Sequence, residues 1–176
     1  MNKLFTLIAF ILVSTQLSFA QSDKANKETA LEEAKLVAAA TIMKDYGTVM
    51  DYTIPAVVEL MGGRASAIEL ISSAMAGMET QGLVFEKAEI LEVLEVKTEQ
   101  DQLRCVIKGR NQMKMDNERI ISESYLLGIF DETVNHWYFI EARQLKNTDL
   151  IQQVIPGFET TLNIPEDVQT TEIIKE

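Results

Sequence analysis

The spacing of hydrophobic residues changes once along the chain, near Gly82. Before this glycine, apolar residues recur every three or four positions, which is the period of an amphipathic helix. After it, apolar and polar residues alternate, which is the period of a half-buried strand. The pattern therefore predicts helices in the first part of the chain and strands in the second.

Three helices are predicted before Gly82. The first begins at Glu28, and its apolar stripe consists of Leu31, Ala34, Ala38, Ile42 and Tyr46. The second, PAVVELM, begins at Pro55, because the missing N–H of a proline costs no hydrogen bond in a first helical turn. The third covers RASAIELISSAMAGMETQ. Its apolar face is expected to fill the core and comprises Ile68, Ile71, Met75 and Met78.

Four runs rich in β-forming residues follow: LVFEKAEILEVLEVK, QLRCVIKGRNQMKM, ERIISESYLLGIF and HWYFIEAR. Short turn-forming segments separate them, so neighbouring strands should be antiparallel. In the second run, Cys105 and Val106 should face opposite sides. The first run changes phase in its middle, which predicts a β-bulge near Glu89 and a curved sheet.

Beyond Arg143, NTDLIQQVIPGF reads as a short helix capped by Asn147 or Thr148. TTLNIP is expected to add a last short strand, and residues 165–176 to form a flexible tail. The whole pattern predicts an α+β domain over residues 28–164, with N-terminal helices on a curved four- to five-stranded antiparallel sheet.

The first twenty residues have the features of a cleavable signal peptide. Lys3 supplies a positive start, LFTLIAFILV an apolar stretch, and Ser18 and Ala20 the small residues before the cut. The apolar stretch is about half the ~20 residues of a membrane span. We therefore expect an exported protein without a stable membrane anchor, beginning with a flexible leader over residues 21–27.

Charge and composition exclude several functions. The chain carries a net charge of −11, which becomes −12 when Lys3 is removed, and its basic residues are scattered. Nucleic acids bind clustered Lys and Arg, so no nucleic-acid partner is expected. A single histidine and a single cysteine cannot build a zinc site, and no phosphate-binding loop is present, so no metal or cofactor is predicted. Cys105, in a strand-like run, is expected to be a core residue.

The chain resembles the NTF2-like superfamily, a cone fold that includes nuclear transport factor 2, ketosteroid isomerase, scytalone dehydratase and SnoaL-type cyclases. The resemblance lies in DYT at Asp51–Thr53, GGRASAIEL at Gly62–Leu70 and the strand HWYFIEAR, and it spans about Glu28 to Arg143. More narrowly, the chain is similar to small exported bacterial proteins of this type. The resemblance implies chemistry inside a cone, but the carboxylate–tyrosine and histidine–aspartate sets of the family enzymes have no residue-by-residue match.

The strand HWYFIEAR leaves two interpretations open. Alternation places Trp137, Phe139, Glu141 and Arg143 on one face, which forms either a ligand-binding pocket wall with a polar group or simply core with a rim ion pair. His136 falls on the opposite face, after a loop residue, and is expected to be solvated. Tyr138 shares that face.

Two further groups are candidates. Tyr46, Tyr52, Glu59 and Arg64 either line the mouth of a cone, with Arg64 holding a ligand carboxylate, or form a surface Arg–Glu pair beside packed tyrosines. Glu123, with Tyr125 beside it, either has a raised pKa and acts as a base or lies on an outer, dimer-forming face. Glu141 is the other weak candidate for catalysis.

Two function hypotheses follow. One is a non-enzymatic module that binds a small apolar or amphipathic ligand and forms a homodimer through the sheet face carrying Tyr125 or Tyr138. The other is a small-molecule isomerase, dehydratase or cyclase with Glu123 or Glu141 as base.

Overall fold

The computed structural model describes residue 24 and residues 26–174, so the predicted signal peptide lies outside the described residues. Five α-helices occur in this part of the chain: α1 (residues 26–43), α2 (Tyr46–Asp51), α3 (Pro55–Leu60), α4 (Arg64–Thr80) and α5 (Thr148–Val154). The predicted helices are all present, and α1 already includes residue 26. A 3₁₀ helix covers Ala142–Lys146.

The local sequence explains where the short helices begin. The Asp45 carboxylate caps α2 by accepting the Thr48 backbone N–H at 3.2 Å, and the Asn147 side chain caps α5 by accepting that of Leu150. Pro55 opens α3 as predicted. Gly62 and Gly63 both have positive φ values, which separate α3 from α4.

Five strands form one antiparallel sheet: β1 (Leu83–Glu99), β2 (Gln102–Met115), β3 (Glu118–Asp131), β4 (His136–Glu141) and β5 (Val168–Ile173). The order is β1-β2-β3-β4, and β5 also pairs with β3. β4 pairs with residues Leu126–Asp131 of β3, and β5 pairs with residues Glu118–Glu123 of the same strand. The α+β class is therefore confirmed.

The first strand is more irregular than its sequence predicts. The β1–β2 register shifts between Phe85 and Lys87, between Ile90 and Glu92, and between Val93 and Glu95. These shifts lie on both sides of the predicted bulge at Glu89. Because each irregularity bends a strand, they account for the phase change of β1.

Helices and loops cover both faces of the sheet. On the first face, called the α1 face, Cys105, Ile107, Trp137 and Phe139 pack against Ala30 and Ala34 of α1. On the second face, Val106 and its neighbours pack against α5 and the segment that follows it. The buried residues of this second cluster are Ile54, Val106, Tyr125, Leu127, Ile129, Ile140, Ala142, Ile151, Val154 and Leu162. Tyr125 is therefore covered rather than outward-facing, and the homodimer through the sheet stays a prediction.

Three other predictions are corrected by the structure. The buried face of α1 centres on Ala30 and Ala34, and Ile42 lies off this face and is exposed. Met75 and Met78 are half-buried rather than core, since α4 lies away from the sheet centre and Ala67 is its one buried residue. The last strand is Val168–Ile173 and not TTLNIP.

Residues 157–163, called the strap, close the second face. Arg104, which is 1% exposed, holds the strap by donating from Nη1 to the Glu159 carbonyl at 2.7 Å. Its Nη2 donates to Oε1 of Gln100 and of Gln102, at 2.9 and 2.8 Å. The Arg104 guanidinium also lies 4.7 Å from the centre of the Phe158 ring.

Glu99, the last residue of β1, also holds the strap. Its carboxylate accepts the Thr160 hydroxyl at 2.6 Å and the Thr161 backbone N–H at 2.7 Å, and it lies 3.7 Å from Arg104 Nη1. Burial opposes ionisation, but these hydrogen bonds outweigh it and lower the pKa of Glu99 to about 2. The strap is therefore fixed by ionic hydrogen bonds at the edge of an apolar core.

Candidate functional site

His136 lies in a cluster of polar and aromatic side chains, and the prediction of a solvated histidine is wrong. Its Nδ1 is 3.4 Å from Glu33 Oε2, and its Nε2 is 3.2 Å from the Asp51 carbonyl oxygen. The ring centre lies 4.3 Å from that of Tyr52 and 4.8 Å from that of Tyr138. Both ring nitrogens face acceptor oxygens, so a singly protonated ring can donate to just one of them.

Arg64 joins this cluster through Asp51 rather than through Glu59. Its Nε and Nη2 donate to the two Asp51 carboxylate oxygens, at 2.6 and 3.0 Å. This forked pair lowers the pKa of Asp51. Asp51 takes up Nε and one side of Nη2, so a ligand carboxylate would have to bind the remaining Nη donors beside it.

Trp137 and Phe139 belong to the core. They are 0% and 5% exposed, beneath α1. The Trp137 indole N–H donates to the Thr29 hydroxyl at 3.1 Å, and its backbone N–H donates to Glu33 at 2.9 Å. Sequence reasoning missed Thr29 and Glu33, although their four-residue spacing places them on one side of a helix.

The six predicted ligand-binding residues are not brought together around one cavity. Tyr52 contacts His136, and its backbone oxygen accepts the Phe139 N–H at 2.8 Å. Tyr46 is buried, and its hydroxyl has no hydrogen-bond partner among the described residues. The ligand-binding role of Tyr46, Tyr52, Arg64, Trp137, Phe139 and Glu141 therefore stays a prediction.

Glu123 does not have the raised pKa that a base buried among apolar neighbours would show. Its carboxylate lies 2.8 Å from the Arg110 guanidinium and 2.9 Å from the Lys108 ammonium, on the adjacent strand. These partners lower the pKa of Glu123. Its predicted neighbour Tyr125 is 6% exposed, within the core.

Glu141 is the candidate carboxylate whose surroundings best suit acid–base chemistry. It lies opposite Leu126 at the last position of β4, where the chain turns into the 3₁₀ helix. Burial raises the pKa of Glu141, Arg143 opposes this effect, and Asp167 adds to it. Arg143 has left the strand, and no Glu141–Arg143 ion pair forms among the described residues.

A groove of about 540 Å³ lies between α1 and β1. This α1–β1 groove is lined by Lys24, Lys27, Glu28 and Leu31 of the helix and by residues 91–96 of the strand. A second cavity, of about 450 Å³, lies beside the 3₁₀ helix and the strap and is lined by Arg143, Phe158 and Asp167, among others. None of the six predicted ligand-binding residues lines either space.

The structure gives no site for a metal ion within residue 24 and residues 26–174, where no group of three or more His, Cys, Asp or Glu side chains converges. Burial raises the pKa of the Cys105 thiol to about 12, so it behaves as a core residue, as predicted. No helix of the described part is both long and apolar enough to cross a bilayer.

Comparison with protein-family models, with curated proteins and with solved structures finds no match for this chain.

Proposed function

We propose that this chain is an exported, NTF2-like binding module, and that it holds a small apolar or amphipathic ligand in the α1–β1 groove. The observation that carries this proposal is the lining of the groove. Aliphatic side chains of Leu31, Leu91, Val93 and Val96 form much of its wall, and charged side chains lie among them. Its volume is within the range of about 300–1,000 Å³ typical of small-ligand sites.

The ionisable side chains that line the groove are lysines and glutamates, at Lys24, Lys27, Glu28, Glu92 and Glu95. No histidine, tyrosine or cysteine lines it. Leu91 and Leu94 occupy positions at which the β1–β2 register shifts, so their side chains depart from regular alternation. A non-enzymatic role therefore agrees better with this site than a catalytic one.

Trp137 gives a direct test of ligand binding, since it is the chain's one tryptophan and hydrogen-bonds Thr29 of the helix that forms the groove wall. Titration with dodecanoate and with dodecanol should change its fluorescence. Leu91→Asp should weaken binding at least tenfold, because it places a charge on the apolar wall. Leu70→Asp on α4, also at an exposed leucine, is the matched control and should bind normally.

The outcome that contradicts the proposal is equally specific. If neither probe binds the wild-type protein, or if Leu91→Asp binds as tightly as Leu70→Asp, the groove is not the binding site. Circular dichroism of both variants establishes that each one is folded.

Export is tested separately. The predicted cleavage after Ala20 leaves a mature chain beginning at Gln21. Intact-mass measurement of protein recovered from secreting cells should show the loss of residues 1–20. A mass that retains them would replace the exported form by a membrane-anchored one.

A second function, a small-molecule isomerase, dehydratase or cyclase, is favoured by Glu141 alone. Its half-buried carboxyl lies on the α1 face opposite Leu126 of β3, and burial raises its pKa. If Glu141 acts as a base, the protein should accelerate deuterium exchange at the α-carbon of a simple ketone such as butanone. Glu141→Gln should abolish the exchange and Glu123→Gln should not; a wild-type rate equal to that of buffer would exclude enolisation of this ketone.

A further inference from the structure

Two of the three outer strands of the sheet are protected against pairing with another strand. β1 has three register shifts and carries five glutamates, at positions 86, 89, 92, 95 and 99. Bulges and charges are common means of blocking an edge strand. β4 is partly covered, because Thr53 forms a parallel bridge with Phe139.

β5 has none of these protections. It pairs with β3 in regular register from Val168 to Ile173, without a bulge. Its sequence, VQTTEI, contains one charge and no proline, and all six residues are exposed. Within the part of the chain that the structure describes, no strand pairs with its other side.

The hydrogen bonds of β5 show which backbone groups are free. The Ile174 N–H donates to the Asn117 carbonyl at 2.8 Å. Residues of an antiparallel strand point their backbone groups alternately toward one neighbour and the other. Val168, Thr170 and Glu172 therefore face β3, and Gln169, Thr171 and Ile173 face outward.

We propose that β5 pairs antiparallel with β5 of a second copy of this chain, with Thr171 on the two-fold axis. In this register Thr171 lies opposite Thr171 and Gln169 lies opposite Ile173, so every outward N–H and C=O of β5 is paired. Glu172 lies opposite Thr170 of the partner, so like charges do not face each other. Cross-strand threonine pairs are favourable in sheets.

An apolar patch beside β5 supports a second copy as the occupant. On the α1 face, beyond the region covered by α1, cross-strand neighbours form a group of Leu83, Phe85, Met113, Met115, Ile120 and Ile173. None of its members is buried, and Met115 and Ile173 are 39% and 71% exposed. Two-fold pairing places both patches on the same face of one continuous sheet, next to the axis.

The contact is small, and it is separate from the α1–β1 groove. A six-residue strand pair buries less surface than a standard interface, so we expect a dissociation constant in the micromolar range. Sedimentation equilibrium of the purified protein, up to about 500 µM, covers this range.

Charge substitutions at Thr171 test the register. Thr171→Lys and Thr171→Glu each place like charges opposite one another on the axis, and each should weaken dimerisation at least tenfold. An equimolar mixture of the two variants should dimerise again, because opposite charges then meet. Thr98→Lys, at an exposed threonine of the protected strand β1, is the matched control and should dimerise like the wild type.

The mixing experiment keeps the test independent of folding defects, since a misfolded variant would not recover. A wild-type protein that is monomeric at the highest concentration overturns the proposal. Dimers of Thr171→Lys as stable as those of the wild type overturn it as well, because the contact would then lie elsewhere.

Discussion

Replacing Arg104 by methionine should destabilise the protein by about 3–5 kcal/mol, the usual cost of removing one partner from a buried ionic network. Arg104 is 1% exposed and donates to Glu159, Gln100 and Gln102, and each such bond from a charged donor is worth about 1.5–3 kcal/mol. Methionine retains much of the apolar contact with Phe158 but leaves these acceptors unpaired. The total is lower than the sum of the bonds, because the strap can rearrange toward water.

Arg110→Met on the same strand is the matched control. Arg110 is also ion-paired, with Glu123, but its side chain is 47% exposed. An exposed pair contributes at most about 1 kcal/mol. Urea unfolding of both variants measures the two free energies on the same scale.

Hydrogen exchange adds a local measurement to this comparison. The Thr161 amide, bonded to Glu99, should lose more protection in Arg104→Met than amides in the middle of β2, because the strap opens without global unfolding. If Arg104→Met costs no more than Arg110→Met, or if exchange at Thr161 is unchanged, Arg104 does not hold the strap.

Three further predictions concern single residues, and the third compares two glycines. Glu99 has a folded-state pKa of about 2 against an ordinary value of 4.5, so the stability it contributes is complete above pH 5 and is lost as the pH falls toward 2. In Glu99→Gln, the free energy of unfolding in urea should depend less on pH over this range. A pH dependence equal to that of the wild type would contradict the assignment. Burial raises the pKa of Glu141, so wild-type stability falls as the pH rises through that pKa. Glu141→Gln should therefore gain stability over the wild type between pH 4 and pH 7, and an equal difference at both pH values would be the contrary result. A Cβ at Gly128 would lie 2.5 Å from Cys105 Sγ, so Gly128→Ala should cost about 1–3 kcal/mol and should be partly rescued by Cys105→Ala. Gly77→Ala, in open space on α4, should instead stabilise by about 0.5–1 kcal/mol, and calorimetry that ranks the two alanine variants the other way would refute this reading.

Alternation was the most informative feature of the sequence. It placed Cys105 and Val106 on opposite faces and Trp137 and Phe139 on one face, and the structure confirms both assignments. These predictions depend only on the period of a single strand, which is a local property. The bounds of β1, β2 and β3 followed closely from the same pattern and from the turn residues between them, whereas β4 ends at Glu141 and not at Arg143 as predicted, because Ala142–Lys146 form the 3₁₀ helix.

The site residues depended on contacts between distant parts of the chain. Thr29 and Glu33 meet Trp137 across 108 and 104 positions, a pairing that no local pattern reveals. β5 was missed because VQTTEI has little hydrophobic content, and it becomes a strand only where the edge of β3 is available to it. Such tertiary effects override local propensity.

The charged neighbours of Glu123 could have been predicted from the sequence. The two-residue turn at Asp116 and Asn117 fixes the β2–β3 register with Met115 opposite Glu118, and counting back places Arg110 opposite Glu123. Charged cross-strand pairs of this kind lower the pKa of a carboxylate. Counting the register would have excluded the raised pKa expected there.

The position of the strap in the sequence determines when the second face of the sheet can pack during synthesis. The second face of the sheet is closed by Ile151, Val154 and Leu162. Arg104 forms its hydrogen bond with Glu159, which lies 55 positions later in the chain. The second face of the central strands consequently cannot complete its packing until residues 151–162 have been synthesised. A chain that ends before residue 151 therefore leaves Val106 and Leu127 without the cover of α5 on this face, although the first face is already built.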